Sequence, residues 1–207
     1  MDIEEKGARV AEYVRGLRLT GFEYASVIDG EYHHMGATLT DAILQSGLNY
    51  KSTVEPRVRA IRENYPDATT TSAFRDLLSS VGAKQLLRWK NDEKPNRLAE
   101  LTQFLCDEGV ETEEGLCVWL DSKENADRLL KLRGIGPKTL HYLGILAGRD
   151  DVAVDVHVMR FLREAGVVFA NVEEARDIVC CAADKLGVRR TVLDHSIWLR
   201  MSQKGPR

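Results

Sequence analysis

The chain is poor in the features that mark specialised proteins, and each shortage removes a class. Its 207 residues hold only four cysteines, Cys106, Cys117, Cys180 and Cys181. They form no Cys-x-x-Cys pair, and their spacings match no zinc or iron–sulfur pattern. So few thiols also argue against a disulfide framework and for a reducing compartment. His33-His34 has no companion cysteine or second histidine pair, so no side-chain metal site is expected. No stretch approaches the roughly 20 apolar residues that span a bilayer. The amino-terminal MDIEEKGARVAEYV is acidic and amphipathic, unlike a charged-then-apolar signal peptide, so a cytoplasmic protein is expected. Basic charge is not in excess either: 29 Lys and Arg face 32 Asp and Glu, a net −3. That balance opposes nonspecific coating of nucleic acid and leaves room only for a local basic face.

What is present is helix. Hydrophobic residues at 43% and charged residues at 29% fit a folded chain of one sizeable domain or two small lobes. Val158, Phe161, Leu162 and Ala165 fall at i, i+3, i+4 and i+7, and Ala175, Ile178, Val179 and Ala182 repeat the pattern. Asn171 followed by Glu174 reads as a capping box opening that second helix, and Gly187 ends it. Residues 40–46, 54–64, 73–79, 96–106 and 124–132 also read as helical, punctuated by Pro66, Gly82, Pro95, Gly109 and Gly115. Strand signals are confined to 25–28 and 152–154, and nothing repeats at a fixed period. The expected fold is all-α: about ten short helices in a two-lobed bundle with an interlobe cleft. One lobe is expected at 36–121 and the other from 1–35 plus 122–207.

The informative stretch is 129–161, LLKLRGIGPKTLHYLGILAGRDDVAVDVHVMRF. Leu132-Arg133-Gly134-Ile135-Gly136-Pro137-Lys138-Thr139 places an apolar–x–Gly–apolar–Gly pattern between two helices. The glycines permit positive φ and close approach of another backbone, and Ile135 between them can pack inward. Pro137 suits a first helical position, so the following helix presents free N–H groups and the positive end of its dipole. Such an end holds a phosphate oxygen without any basic patch. An acidic protein can therefore still grip a nucleic-acid backbone.

The hairpin, a helix of about ten residues and then Val154-Asp155-Val156-His157 together resemble the helix-hairpin-helix (HhH-GPD) DNA glycosylase superfamily, to which endonuclease III and the 8-oxoguanine glycosylases belong. The resemblance is close over some thirty residues and weakens toward both ends. The four-cysteine loop of endonuclease III is absent, which points to cluster-free members. The resemblance implies a DNA glycosylase that removes a damaged or modified base from double-stranded DNA, acting as a monomer and away from membranes. The hairpin, about 129–147, would hold the backbone through Gly134, Ile135, Gly136, Lys138 and Thr139. Lys138 falls on the position of the Schiff-base lysine and Asp155 on that of the catalytic aspartate. No organic cofactor is implied; a monovalent cation on hairpin carbonyls is compatible with the motif.

Chemistry gives those two residues their roles. A lysine that attacks the sugar C1′ must lose its proton, which burial at a positive helix end promotes. Success would make the enzyme bifunctional, with strand cleavage at the abasic site. Asp155 precedes the helix of Val158, Phe161 and Leu162, so it can cap that helix and face a cationic sugar at once. By the same resemblance, Gln45, Asn49 and Tyr50 fall in the segment, 38–50, that would supply base-flipping or pocket residues. His157 and Trp198 are further candidates, although His157 also reads as a supporting residue and Trp198 as a helix-face core residue. Oxidised purines, oxidised pyrimidines and a hypermodified phage cytosine all remain open as the base. Two alternatives also stay open: a monofunctional glycosylase in which Lys138 only touches phosphate, and a noncatalytic DNA-binding module.

Overall fold

The computed structural model describes residues 1–26 and 32–204, and every regular element among them is helical. In chain order they are α1 (Ile3–Arg18), α2 (Met35–Leu44), a π-helical turn (Tyr50–Val54), α3 (Glu55–Asn64), α4 (Thr71–Val81), α5 (Ala83–Leu86) and α6 (Glu93–Asp107). Then follow α7 (Glu113–Trp119), α8 (Lys123–Leu129), α9 (Pro137–Leu146), α10 (Val156–Glu164), α11 (Val172–Leu186) and α12 (Arg190–Gln203). No described helix is long and apolar enough to cross a membrane.

Local chemistry explains most boundaries. Asp2 and Glu5 form a reciprocal capping box on α1. On α11, Asn171 Oδ1 accepts from Glu174 N, but the Glu174 carboxylate takes the N–H of Ala170 instead of Asn171, so the expected box is only half closed. Gly187 ends α11 at φ +67°, the left-handed position that a side chain would strain. Pro95 and Gly115, expected as breaks, lie inside α6 and α7. Pro95 sits in the first turn, where its missing N–H has no intrahelical partner to lose. The expected strand at 152–154 is a buried, non-helical segment without ladder partners. At 25–28, Ala25 and Ser26 are irregular, and the remaining two residues lie outside the described ones.

Two compact units divide the chain: Met1–Asp29 with Asp150–Arg207, and Gly30–Arg149. In the first, α1 packs on α11 and α12 on α10 around Val14, Phe161, Ile178 and Ile197, all fully buried. In the second, α2 packs against α3, α6 and α9 around Leu39, Phe74, Leu98 and Leu143. The expected division at 36–121 put the hairpin with the chain ends. The structure instead gives it to the central unit, because Leu129, Ile135, Leu143 and Leu146 bury themselves in that unit's core. Apolar side chains decide membership here, and the polar run near Asp121 is only a turn.

Candidate active site

The hairpin of residues 130–136 links α8 to α9. Gly134 adopts φ +85°, and a Cβ built there would lie 2.5 Å from Arg97 Nε. The positive φ favours glycine here, and the Arg97 side chain lying across it would have to shift to admit a Cβ. Gly136 differs from expectation: its φ is −109° and a Cβ would meet nothing within 4 Å. The space in front of α9 at this position is open. Pro137 opens the helix, and Leu140 N donates back to Gly136 O at 2.9 Å. Ile135 and Thr139 are both buried, so neither side chain is available to DNA, and any contact from them is through backbone. Leu132 O accepts from Ile135 N at 3.1 Å. A carbonyl has a second lone pair, so the donor set remains compatible with a monovalent cation.

Lys138 follows on the first turn of α9. Its Nζ donates to Gln45 Oε1 at 2.5 Å, across to the C-cap of α2. One turn further along α9, the Tyr142 hydroxyl donates to Asp41 Oδ1 at 3.2 Å, and Asp41 lies one turn before Gln45 on α2. The i, i+4 spacing on both helices therefore makes an antiparallel pair of polar contacts. Asp41 is fully buried. Its Oδ2 accepts from Tyr32 at 2.6 Å and from Tyr50 at 3.2 Å, and those two hydroxyls are 3.2 Å apart. Burial first, then the Asp41 charge, pushes the Tyr32 phenol far above the usual tyrosine range, so it stays a donor. Lys94 donates to Ile43 O at 2.6 Å and Ser46 O at 3.1 Å, securing the end of α2 from below the same cluster. Burial, then Arg97 and Lys138 nearby, depress its pKa to about 8.

In the other unit, Asp155 is the N-cap of α10. Its Oδ1 accepts from His157 N at 2.8 Å and Val158 N at 3.0 Å. Oδ2 has no hydrogen-bond partner among the described residues. A carboxylate fixed by two amides at a helix end is oriented before any substrate arrives, which is how a developing cation is best stabilised. His157 enters this arrangement through its backbone N–H.

The remaining candidates separate. Gln45 joins Lys138 and Tyr50 joins Asp41, so two of the three expected pocket residues do belong to one polar cluster. Asn49 is exposed, and its Oδ1 is spent on Ser52 N and Oγ as the cap of the π-helical turn. Trp198 stacks on His195 along α12, with ring centroids 5.7 Å apart. His34 is structural: Nδ1 accepts from Ala37 N at the start of α2, and Nε2 meets Tyr65 O at 2.9 Å. Sequence reasoning missed Asp41, Tyr32 and Tyr142. The available signal was an aspartate as the one charge in the run Met35–Leu44, where a charge needs a reason.

Residues 10–202 match a family model described as Domain of unknown function (DUF8548). No curated protein matches the chain. Among solved structures, that of H. pylori 3-methyladenine DNA glycosylase (MagIII) bound to 1,N6-ethenoadenine superposes with a TM-score of 0.63, covering 100% of both chains at 14% identity. The all-helical fold is thus shared, while the residues are almost wholly different.

Proposed function

The chain belongs to the DUF8548 family, and we propose that it is a DNA glycosylase that excises a damaged or modified base. The observation that carries this reading is Asp155, capped onto two amides of α10 and following the Gly134–Gly136 hairpin by one short helix. A fold shared with a 3-methyladenine DNA glycosylase supports it. In the reaction, the hairpin amides and the α9 terminus hold a backbone phosphate. The glycosidic bond breaks, the base leaves with the electron pair, and the Asp155 carboxylate stabilises the cationic sugar. The Lys138 nitrogen, as the free amine, bonds to the C1′ cation; a proton then passes from that nitrogen to O4′ as the C1′–O4′ bond breaks, giving a ring-opened imine. Elimination of the 3′ phosphate from that imine cleaves the strand.

The test is a panel of duplexes, each carrying one oxidised, alkylated or hypermodified base, assayed for free-base release and for borohydride-trapped adduct. Release with trapping is the expected outcome. Release leaving an intact abasic strand reduces Lys138 to a phosphate contact, and binding without release from any duplex overturns the enzyme in favour of a DNA-binding module.

A further inference from the structure

The basic side chains around the cleft lined by α1, α11 and α12 are spent on acids: Arg176 on Asp151 and Asp177, Arg190 on Asp184, and Lys185 on Glu4. Near the hairpin, Lys94 is spent on two carbonyls and Lys138 on Gln45. Arg97 differs. A guanidinium carries five N–H donors, and Arg97 gives one of them, from Nη2 to Glu93 Oε1 at 2.5 Å. Its Nε is buried and meets no acceptor among the described residues. An unpaired buried donor costs stability, and a fold that keeps such a cost calls for an explanation.

The position of the side chain supplies one. Arg97 reaches from α6 across the hairpin, with Nε 2.5 Å and Cζ 2.6 Å from where a Gly134 Cβ would stand. Two residues on, Gly136 faces open space in front of α9, where hairpin amides and the helix end would hold a phosphate. An arginine paired with a glutamate one turn away is usually a solvated surface feature. Arg59 with Glu55 on α3 is one, its arginine side chain 61% exposed. Arg97 is 22% exposed and lies on main chain instead. Lys94, its pKa depressed first by burial and then by Arg97 and Lys138, marks the three cations as neighbours. A local cationic face thus stands at the hairpin of a chain whose net charge is −3, and Arg97 is its member with donors to spare.

We propose that Arg97 is a phosphate-binding residue, which leaves Glu93 and pairs its guanidinium with a DNA phosphodiester seated at the hairpin. This rests on the glycosylase reading and deepens it by adding a side chain to a contact otherwise made of amides. The planar fork suits two oxygens of one phosphate, and Glu93 competes for the same donors. The contact reads backbone, so it favours no base.

Binding to an undamaged duplex and to one carrying an abasic analogue, followed by fluorescence anisotropy across a range of KCl concentrations, tests it. Arg97→Gln should weaken both about tenfold and lower the slope of log affinity against log salt by about one. Arg97→Lys should keep the wild-type slope but lose affinity, because a point charge replaces the fork. Glu93→Gln removes the competitor and should bind about threefold tighter; it leaves Arg97 in place, so it reads the contact even if Arg97→Gln folds poorly. Arg59→Gln, the exposed counterpart, should move neither affinity nor slope, and thermal unfolding accompanies every variant. Unchanged affinity and slope in Arg97→Gln overturns the proposal, as does a loss in that variant at the wild-type slope or one equalled by Arg59→Gln. Glu93→Gln protein that binds no tighter than the wild type overturns it too. Each of these removes this inference alone, whereas wild-type protein that binds neither duplex removes the glycosylase reading as well.

Discussion

Asp155 and Lys138 are held in opposite ways. The aspartate is fixed by main chain: two consecutive amides of α10 bind one of its oxygens. The lysine is fixed by side chains, through Gln45 and then, one turn along, through the Asp41–Tyr142 contact between α2 and α9. A main-chain anchor persists whatever surrounds it, because the helix end supplies it. A side-chain anchor depends on residues from separate helices and can be retuned by single substitutions. Under the proposed function, the carboxylate that faces the sugar and the lysine that attacks it are thus held by different kinds of contact, in different parts of the chain.

The sharpest way to break that contrast is Asp155→Asn. Asparagine caps a helix as well as aspartate, so thermal unfolding should be almost unchanged. Base release should nevertheless fall by about 100-fold or more, the usual loss when one stabiliser of transition-state charge is removed. Single-turnover release measured beside the unfolding midpoint checks both halves. A variant that releases base at near wild-type rate would show that Asp155 is a cap and nothing else.

Next in size is Lys138→Gln, one atom shorter, which can still hydrogen-bond but has no amine. Lesion-DNA binding should survive, while the borohydride-trapped adduct and strand cleavage should both vanish. Continued base release with an intact abasic strand would leave Asp155 carrying the chemistry with water as the nucleophile.

The two hairpin glycines give a smaller, purely structural comparison. Gly134→Ala forces a side chain into φ +85° and against Arg97, and should cost about 1–2 kcal/mol for the left-handed backbone before any clash is added. Gly136→Ala meets open space at negative φ and should change stability by only about 0.5 kcal/mol. Denaturant midpoints separate the two. The Gly136 variant should instead weaken binding to all duplexes alike, since the space in front of α9 is where a phosphate would sit.

The same contrast explains what could be read from the sequence. The hairpin, the Asp155 cap and the helical periodicities are local, each encoded within a few residues, and the structure follows them closely from Leu129 to Phe161. Asn49 is local too: its Oδ1 caps the π-helical turn, the kind of bond for which its residue type is as well suited as for a base contact. The Asp41 cluster draws on positions 32, 41, 50 and 142, and no spacing in the sequence announces that α2 and α9 will run antiparallel with these residues in register. The placement of the hairpin in the central unit was hidden for a related reason. It depends on which core receives Ile135 and Leu143, a tertiary choice.

The smallest expected effect concerns Lys94, whose ammonium supports α2 beneath the Lys138 contact. Burial, reinforced by Arg97 and Lys138, lowers its pKa in the folded protein to about 8, from the ordinary lysine value of 10.5 in the unfolded chain. Between those values the unfolded state binds more protons than the folded one, so stability contributed at this site rises with pH across the window and is flat below it. Solvent reaches part of the group, so the rise should be well under the ~1.4 kcal/mol per pKa unit of a fully buried charge. Other groups titrate in the same range, and Lys94→Met provides the reference. The difference in unfolding free energy, wild type minus Lys94→Met, should climb between pH 8 and 10.5 and stay level from pH 6 to 7.5. A difference that is flat throughout would mean that Lys94 is as well solvated folded as unfolded, and that its two carbonyl contacts, not its burial, set its behaviour.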